Sequence, residues 1–192
     1  MSDQTLFRDR DVFEADYLPE QFNYRDAQLR EMAFAIRPAV FGSRPNNVVL
    51  KGLPGTGKTT SVRHLFSEIR ETTQRIVPVY VNCQNHHTRF MVFTRIYEGV
   101  FGHLPPTTGI SLRRILNEVG CALSERKKVL LVCLDDANYL LHDGVLNDTV
   151  FSILRLYEEF QGVRSGVILT VSNTETDFRK ELDACVISSL QP

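Results

Sequence analysis

Surplus charge of either sign is the first thing this sequence lacks: 22 basic against 23 acidic side chains leave a formal net charge of -1 over 192 residues. A chain so balanced has no global attraction for a polyanion, so contact with nucleic acid has to rest on a local basic patch. No apolar run approaches the roughly 20 residues that a bilayer span needs. The N-terminus is charged and acidic where a leader would be basic and then apolar. No membrane partner is expected, and the cytoplasm is the expected location. Cysteines are few, and Cys83, Cys121, Cys133 and Cys185 form no C-x-x-C pair. That argues against a zinc site or a disulfide frame and for reduced thiols, with the first three in contexts that suggest core positions. His86-His87 has no cysteine or carboxylate beside it at a metal-ligand spacing. Internal repeats and low-complexity segments are absent. What remains is ordinary globular composition, 43% hydrophobic and 23% charged, sufficient for one core, so a single domain over 1–192 is expected.

The chain is organised around Gly52-Leu53-Pro54-Gly55-Thr56-Gly57-Lys58-Thr59-Thr60. Val48-Val49-Leu50 precedes it as a strand, and Val62, Leu65, Phe66 and Ile69 follow at helical spacing. This is the G-x-x-x-x-G-K-[ST] pattern in the strand-to-helix context that it requires. Gly52, Gly55 and Gly57 allow backbone conformations and close approaches that a Cβ forbids, so that N–H groups can turn towards a polyphosphate. The helix opening near Lys58 adds its unpaired N–H groups and the positive end of its dipole. Lys58 is expected on the β and γ phosphates and Thr59 on Mg2+.

Residues 1–23 carry too many aromatics for a disordered tail and read as an arm packed on the domain. Leu29, Met32, Ala33, Ile36 and Val40 predict a helix over 25–40. The run 76–81 is a strand whose Pro78 suggests a sheet edge. Over 88–101, Phe90, Phe93, Ile96, Tyr97, Val100 and Phe101 share one helical face, with Arg89 and Arg95 nearby; on periodicity alone this is an amphipathic core helix. Segment 103–109, with Pro105-Pro106, is a loop, and 111–126 is a further helix whose Arg126-Lys127-Lys128 would complement the dipole at its C-terminal end. The continuous apolar run 129–134 predicts a central parallel strand ending in Asp135-Asp136. A helix over 147–160, capped by Asn147 or Asp148, presents Val150, Phe151, Leu154, Tyr157 and Phe160 on one side. A last strand, 166–171, ends in Ser172-Asn173-Thr174, and 178–192 makes a short helical piece and a tail. Alternation of strand and helix predicts an α/β fold, a three-layer parallel sheet with the phosphate loop at its carboxyl edge.

At that edge Asp135 is expected to hold the metal and Asp136 to orient or deprotonate water, while Asn173 could hold that water or the γ-phosphate. Taken alone, an acidic pair at a strand end can equally cap the next helix. A P-loop small-molecule phosphotransferase shares the glycine loop and the length, but no lid arginine or acceptor pocket is visible. A third reading is an interaction module that binds nucleotide without turnover.

The residues resemble the AAA+ superfamily and, within it, archaeal replication initiators related to origin recognition complex subunit one and cell division control protein six. The likeness covers essentially the whole chain. It rests on Leu6 through Phe13, Asp16-Tyr17-Leu18-Pro19-Glu20, Tyr24 through Leu29, the phosphate loop, Val81-Asn82-Cys83-Gln84-Asn85, Thr88-Arg89-Phe90, Pro105 through Gly109, and Val171-Ser172-Asn173. The resemblance implies that ATP and ADP bind with Mg2+, and that Tyr17, Leu18, Pro19 and Arg25 line the adenine side. It implies origin DNA and the replicative helicase as partners. A DNA-distorting insertion falls at 84–109, where Arg89 and Arg95 become candidate phosphate contacts. Three departures matter. Asp136 stands where the superfamily usually has Glu, one methylene longer, which implies a weak, slow ATPase or a binding switch. Ala184-Cys185 stands where relatives usually have Pro-Arg. The sequence stops at Pro192, before the family's next strand, its lid and the winged-helix domain that supplies most DNA affinity. A shortened initiator is therefore expected, with weakened ATP affinity and self-association through the exposed sheet edge.

Overall fold

The computed structural model describes residues 26–106, 109–172 and 182–190. Four strands, β1 (Val48–Lys51), β2 (Ile76–Asn82), β3 (Val129–Asp135) and β4 (Arg164–Val171), form one sheet in the order β1-β4-β3-β2. Every pairing in it is parallel. Parallel neighbours need long crossovers, and helices supply them. These are α1 (Asp26–Val40), α2 (Lys58–Thr72), α3 (Arg89–Phe101), α4 (Leu112–Glu125), α5 (Val145–Leu154), α6 (Leu156–Glu159) and α7 (Ala184–Leu190).

Period-two alternation divides the core into two layers. Leu130, Val132 and Leu134 face a cluster with Val92, Phe93 and Ile96 of α3, Ile115 and Val119 of α4 and Val150 and Ile153 of α5. Val129, Leu131 and Cys133 face the opposite cluster, with Met32 and Ile36 of α1 and Val62, Leu65, Phe66 and Ile69 of α2. All seven residues of β3 are buried, as its unbroken apolar run predicts for a strand covered on both faces. β2, with Pro78, takes one edge as expected, and among the described residues β1 takes the other.

Four local expectations need correction. The helix foreseen over 147–160 is two: α5 ends at Leu154 and α6 starts at Leu156. Both leucines are buried, yet two positions along one continuous helix lie on nearly opposite faces, so the break at Arg155 returns Leu156 to the core. Phe151 and Tyr157, expected inside, are exposed, and Leu146 and Ile153 take the core positions. The helix starts earlier, after Gly144 at φ 70, so neither Asn147 nor Asp148 is the cap. Cys121 is exposed, whereas Cys83 and Cys133 are buried as expected.

The basic cluster at 126–128 acts differently from a simple dipole complement. Lys127 adopts φ 51, and the N–H groups of Lys127 and Lys128 return to the carbonyls of Ser124 and Leu123. That is a Schellman closure of α4. The Arg126 guanidinium donates instead to the Val100 carbonyl in the last turn of α3, 2.9 Å away.

Candidate functional site at the carboxyl edge of the sheet

The strand-to-helix turn takes the shape its glycines permit. Gly55 and Gly57 lie at φ +74 and +80, and a Cβ on Gly52 would come within 3.3 Å of Thr56 Oγ1. The Thr56 hydroxyl donates to the Leu53 carbonyl at 2.7 Å, tying the bend across its base. Pro54 and Gly55 at the tip are exposed, as is Thr60 one turn on. Gly57 occupies the N-cap position of α2, with no side-chain cap and no acidic residue in the first turn. The opening N–H groups therefore face outward beside the positive end of a 15-residue helix, the arrangement that favours an anion.

Lys58 is 8% exposed, and its Nζ donates to the carbonyls of Gly52 and Leu53 at 2.8 and 2.9 Å. Among the described residues no carboxylate pairs with it. A buried cation held only by neutral carbonyls suits an anionic ligand.

Strand β3 delivers the carboxylates. Asp135, 2% exposed, accepts from Thr59 Oγ1 at 2.8 Å and Tyr80 Oη at 2.6 Å on Oδ2, and from Thr170 Oγ1 at 2.5 Å on Oδ1. Three hydroxyls from α2, β2 and β4 thus replace the hydration a buried carboxylate would otherwise require. The next residue, Asp136, sits at φ 55, a region that Asp tolerates better than most side chains and that is enriched at functional turns. Its N–H donates to Thr170 Oγ1 at 2.8 Å, and its Oδ1 accepts from the Ser172 hydroxyl.

The phosphate loop and both carboxylates therefore converge, with only β4 between their strands. Tyr80, Thr170, Ser172 and Asn138, whose Oδ1 accepts from the Ser172 N–H, were not anticipated. The available signal was a lone polar group in an apolar strand, Thr170 at 0% exposure being the clearest case. Burial and the Asp135 carboxylate push the Tyr80 phenol up to about 12. Burial raises the Cys83 and Cys133 thiols, and the nearby Asp135 charge adds to it, which keeps both protonated. Asn173, Tyr17, Leu18, Pro19 and Arg25 lie outside the described residues.

Arg89 and Arg95 stand apart from this site on α3. Arg89 donates to Ser152 Oγ at 2.5 Å and lies 4.0 Å from Asp148 Oδ2 on α5, while Arg95 pairs with Glu98. The face of α3 carrying Val92, Phe93, Ile96 and Tyr97 is core, as its periodicity indicated, whereas Phe90 is exposed.

A family profile described as an AAA ATPase domain matches residues 21–145. The chain is 44% identical over 190 residues to the ORC1-type DNA replication protein 3 of Haloarcula marismortui, covering 99% of this chain and 50% of that protein. It thus spans about half the length of the curated relatives it matches. Among solved structures, the Aeropyrum pernix ORC1 protein in complex with DNA superposes with a TM-score of 0.74 at 29% identity. That match covers 96% of this chain and 47% of the other. The Aeropyrum pernix ORC2 protein in ADPNP-ADP complexes shares the fold, with a TM-score of 0.72 at 24% identity, over 96% of this chain and 50% of that one.

Proposed function

The chain belongs to the AAA ATPase family and resembles ORC1-type DNA replication proteins of archaea, and from that premise we propose that it is the ATP-binding switch of a replication initiator acting at origin DNA. The observation carrying this reading is the 2.8 Å hydrogen bond from Thr59 Oγ1 to Asp135 Oδ2. It joins the start of the phosphate-loop helix to the carboxylate of β3, the donor pair that Mg2+ takes when phosphate oxygens complete its shell. A metal ion held there would supply positive charge against the phosphates. Lys58 supplies an ammonium to the same oxygens, the opening N–H groups of α2 cradle them, and Thr59 and Asp135 hold the metal.

In this reading Asp136 orients or deprotonates the water, and Asn173 holds that water or the γ-phosphate. The Asp136 carboxylate is one methylene shorter than a glutamate and is occupied by the Ser172 hydroxyl, so hydrolysis is slow. The same hydrogen bond favours a second reading, nucleotide binding without turnover. The phosphotransferase alternative has no support in this family. Tyr17, Leu18, Pro19 and Arg25 take the adenine side. DNA contact runs through 84–109, with two candidate phosphate contacts: Arg89, which Ser152 and Asp148 engage, and Arg95, which Glu98 engages. Helicase recruitment, and self-association along β1, whose Val49 is 46% exposed, belong to the same reading.

Calorimetric titration with Mg-ATP tests it: Lys58→Ala should weaken binding by about 100-fold or more, some 2.8 kcal/mol. Unchanged affinity overturns the assignment. Turnover above that of Asp136→Asn supports the hydrolytic switch, and identical background rates select the binding-only reading.

A further inference from the structure

Beside the carboxyl-edge site, and sharing Tyr80 with it, α2 and α3 flank a cavity of about 490 Å3 along β2. Arg63 and Arg70 reach it from α2 and Arg95 from α3, and the only carboxylate among its described lining residues, Glu98, is paired with Arg95. Neither Arg63 nor Arg70 joins any ion pair among the described residues. The Arg63 guanidinium lies 4.7 Å from the centre of the Tyr80 ring, and Arg70 Nη2 donates to the Pro78 carbonyl at 3.3 Å. The cavity is thus walled by three guanidiniums against one carboxylate, in a chain whose overall charge is -1.

The strand edge beside it rejects one class of occupant. The Arg75 carbonyl and the Cys83 N–H both bond towards β3, so by alternation the even-numbered residues of β2, Pro78 among them, point their backbone groups outward. Pro78 has no N–H to offer an added strand, and Arg70 already covers its carbonyl. A peptide strand does not fit here. Planar guanidinium forks match a tetrahedral oxyanion instead, through paired charge-assisted hydrogen bonds.

We propose that this cavity is a second phosphate-binding site, separate from the glycine loop, taking a phosphate group presented either free or along a nucleic-acid backbone. None of its lining residues belongs to the loop 52–60. The proposal therefore stands or falls independently of the nucleotide assignment.

Arginine side-chain Nε–Hε resonances of the full chain, titrated with inorganic pyrophosphate, test it. The glycine loop contains no arginine, and Arg70 and Arg95 bond Pro78 and Glu98 rather than that site, so their signals report the cavity even while pyrophosphate also visits the loop. The expected result is a saturable shift of the Arg63, Arg70 and Arg95 signals, with affinity at least about tenfold weaker in Arg70→Gln/Arg95→Gln. Glu98→Gln should tighten binding severalfold by releasing Arg95, an effect that loss of folding cannot imitate. Small linear shifts spread over all arginines, or a Glu98→Gln affinity no better than wild type, overturn the proposal. The salt dependence of binding to a 20-base-pair duplex then identifies the source. A slope reduced by about 2 in the double variant marks backbone phosphates; an unchanged slope with pyrophosphate binding intact marks free phosphate.

Discussion

Along β3, the apolar residues from Val129 to Leu134 are buried against helices on both faces, and the next residue, Asp135, is equally inaccessible at 2% exposure. The body of the sheet and its carboxyl edge are one strand with two kinds of stability. In the body, burial of apolar surface is non-directional, so Leu131 needs only neighbours of suitable volume. At the edge, Asp135 needs donors at bonding distance, and Thr59, Tyr80 and Thr170 bring them from three other elements. The body of the sheet therefore specifies volume, whereas its edge specifies donors at particular positions.

The contrast can be broken from either side. Leu131→Ala should cause the largest loss, about 2–5 kcal/mol in denaturant unfolding, while leaving Mg-ATP affinity of the folded protein unchanged; a parallel fall in affinity would mean that body and edge are coupled. Thr170→Val keeps the shape but removes a donor to Asp135 and an acceptor from the Asp136 N–H, so about 1–3 kcal/mol of stability should go. In that variant Mg2+-dependent nucleotide affinity should fall as well. Tyr80→Phe should have the smallest effect, about 1 kcal/mol, because Thr59 and Thr170 still satisfy the carboxylate. Its signature is in pH. Burial, and then the Asp135 carboxylate, raise the phenol from 10.0 to about 12, so the stability linked to its protonated form is complete below pH 10 and is lost as pH rises towards 12. Ultraviolet titration of wild type should show a late tyrosine phase that Tyr80→Phe lacks, and coincident curves would mean that the phenol is not held by Asp135.

Much of this was legible in the chain. Helix and strand periods located α1 to α4 within a residue or two and put β2 at an edge through Pro78, and the alternation predicted the three-layer parallel sheet. The phosphate loop and Asp135-Asp136 were readable because both are local patterns. Failures fell where a local pattern has two solutions. An apolar periodicity over 147–160 is satisfied by one helix or by two with a break at Arg155, and the burial of both Leu154 and Leu156 decides for two. Cys121 and Phe151 sit in helices whose inward face is shared by many apolar residues, and only the packed neighbours select which side chains stay outside. The partners of Arg89, Ser152 and Asp148, lie on α5, beyond the reach of any local pattern.

The amino-acid order by itself settled which segments become strands and helices and that a glycine bend, an ammonium and paired carboxylates are all present, since these depend on contacts within a few residues. Tertiary structure decided which hydroxyls meet Asp135, from partners 76, 55 and 35 positions away, and which arginines of α2 and α3 share one cavity. Directional bonds between distant residues depend on strand order and register, and no local periodicity carries that information.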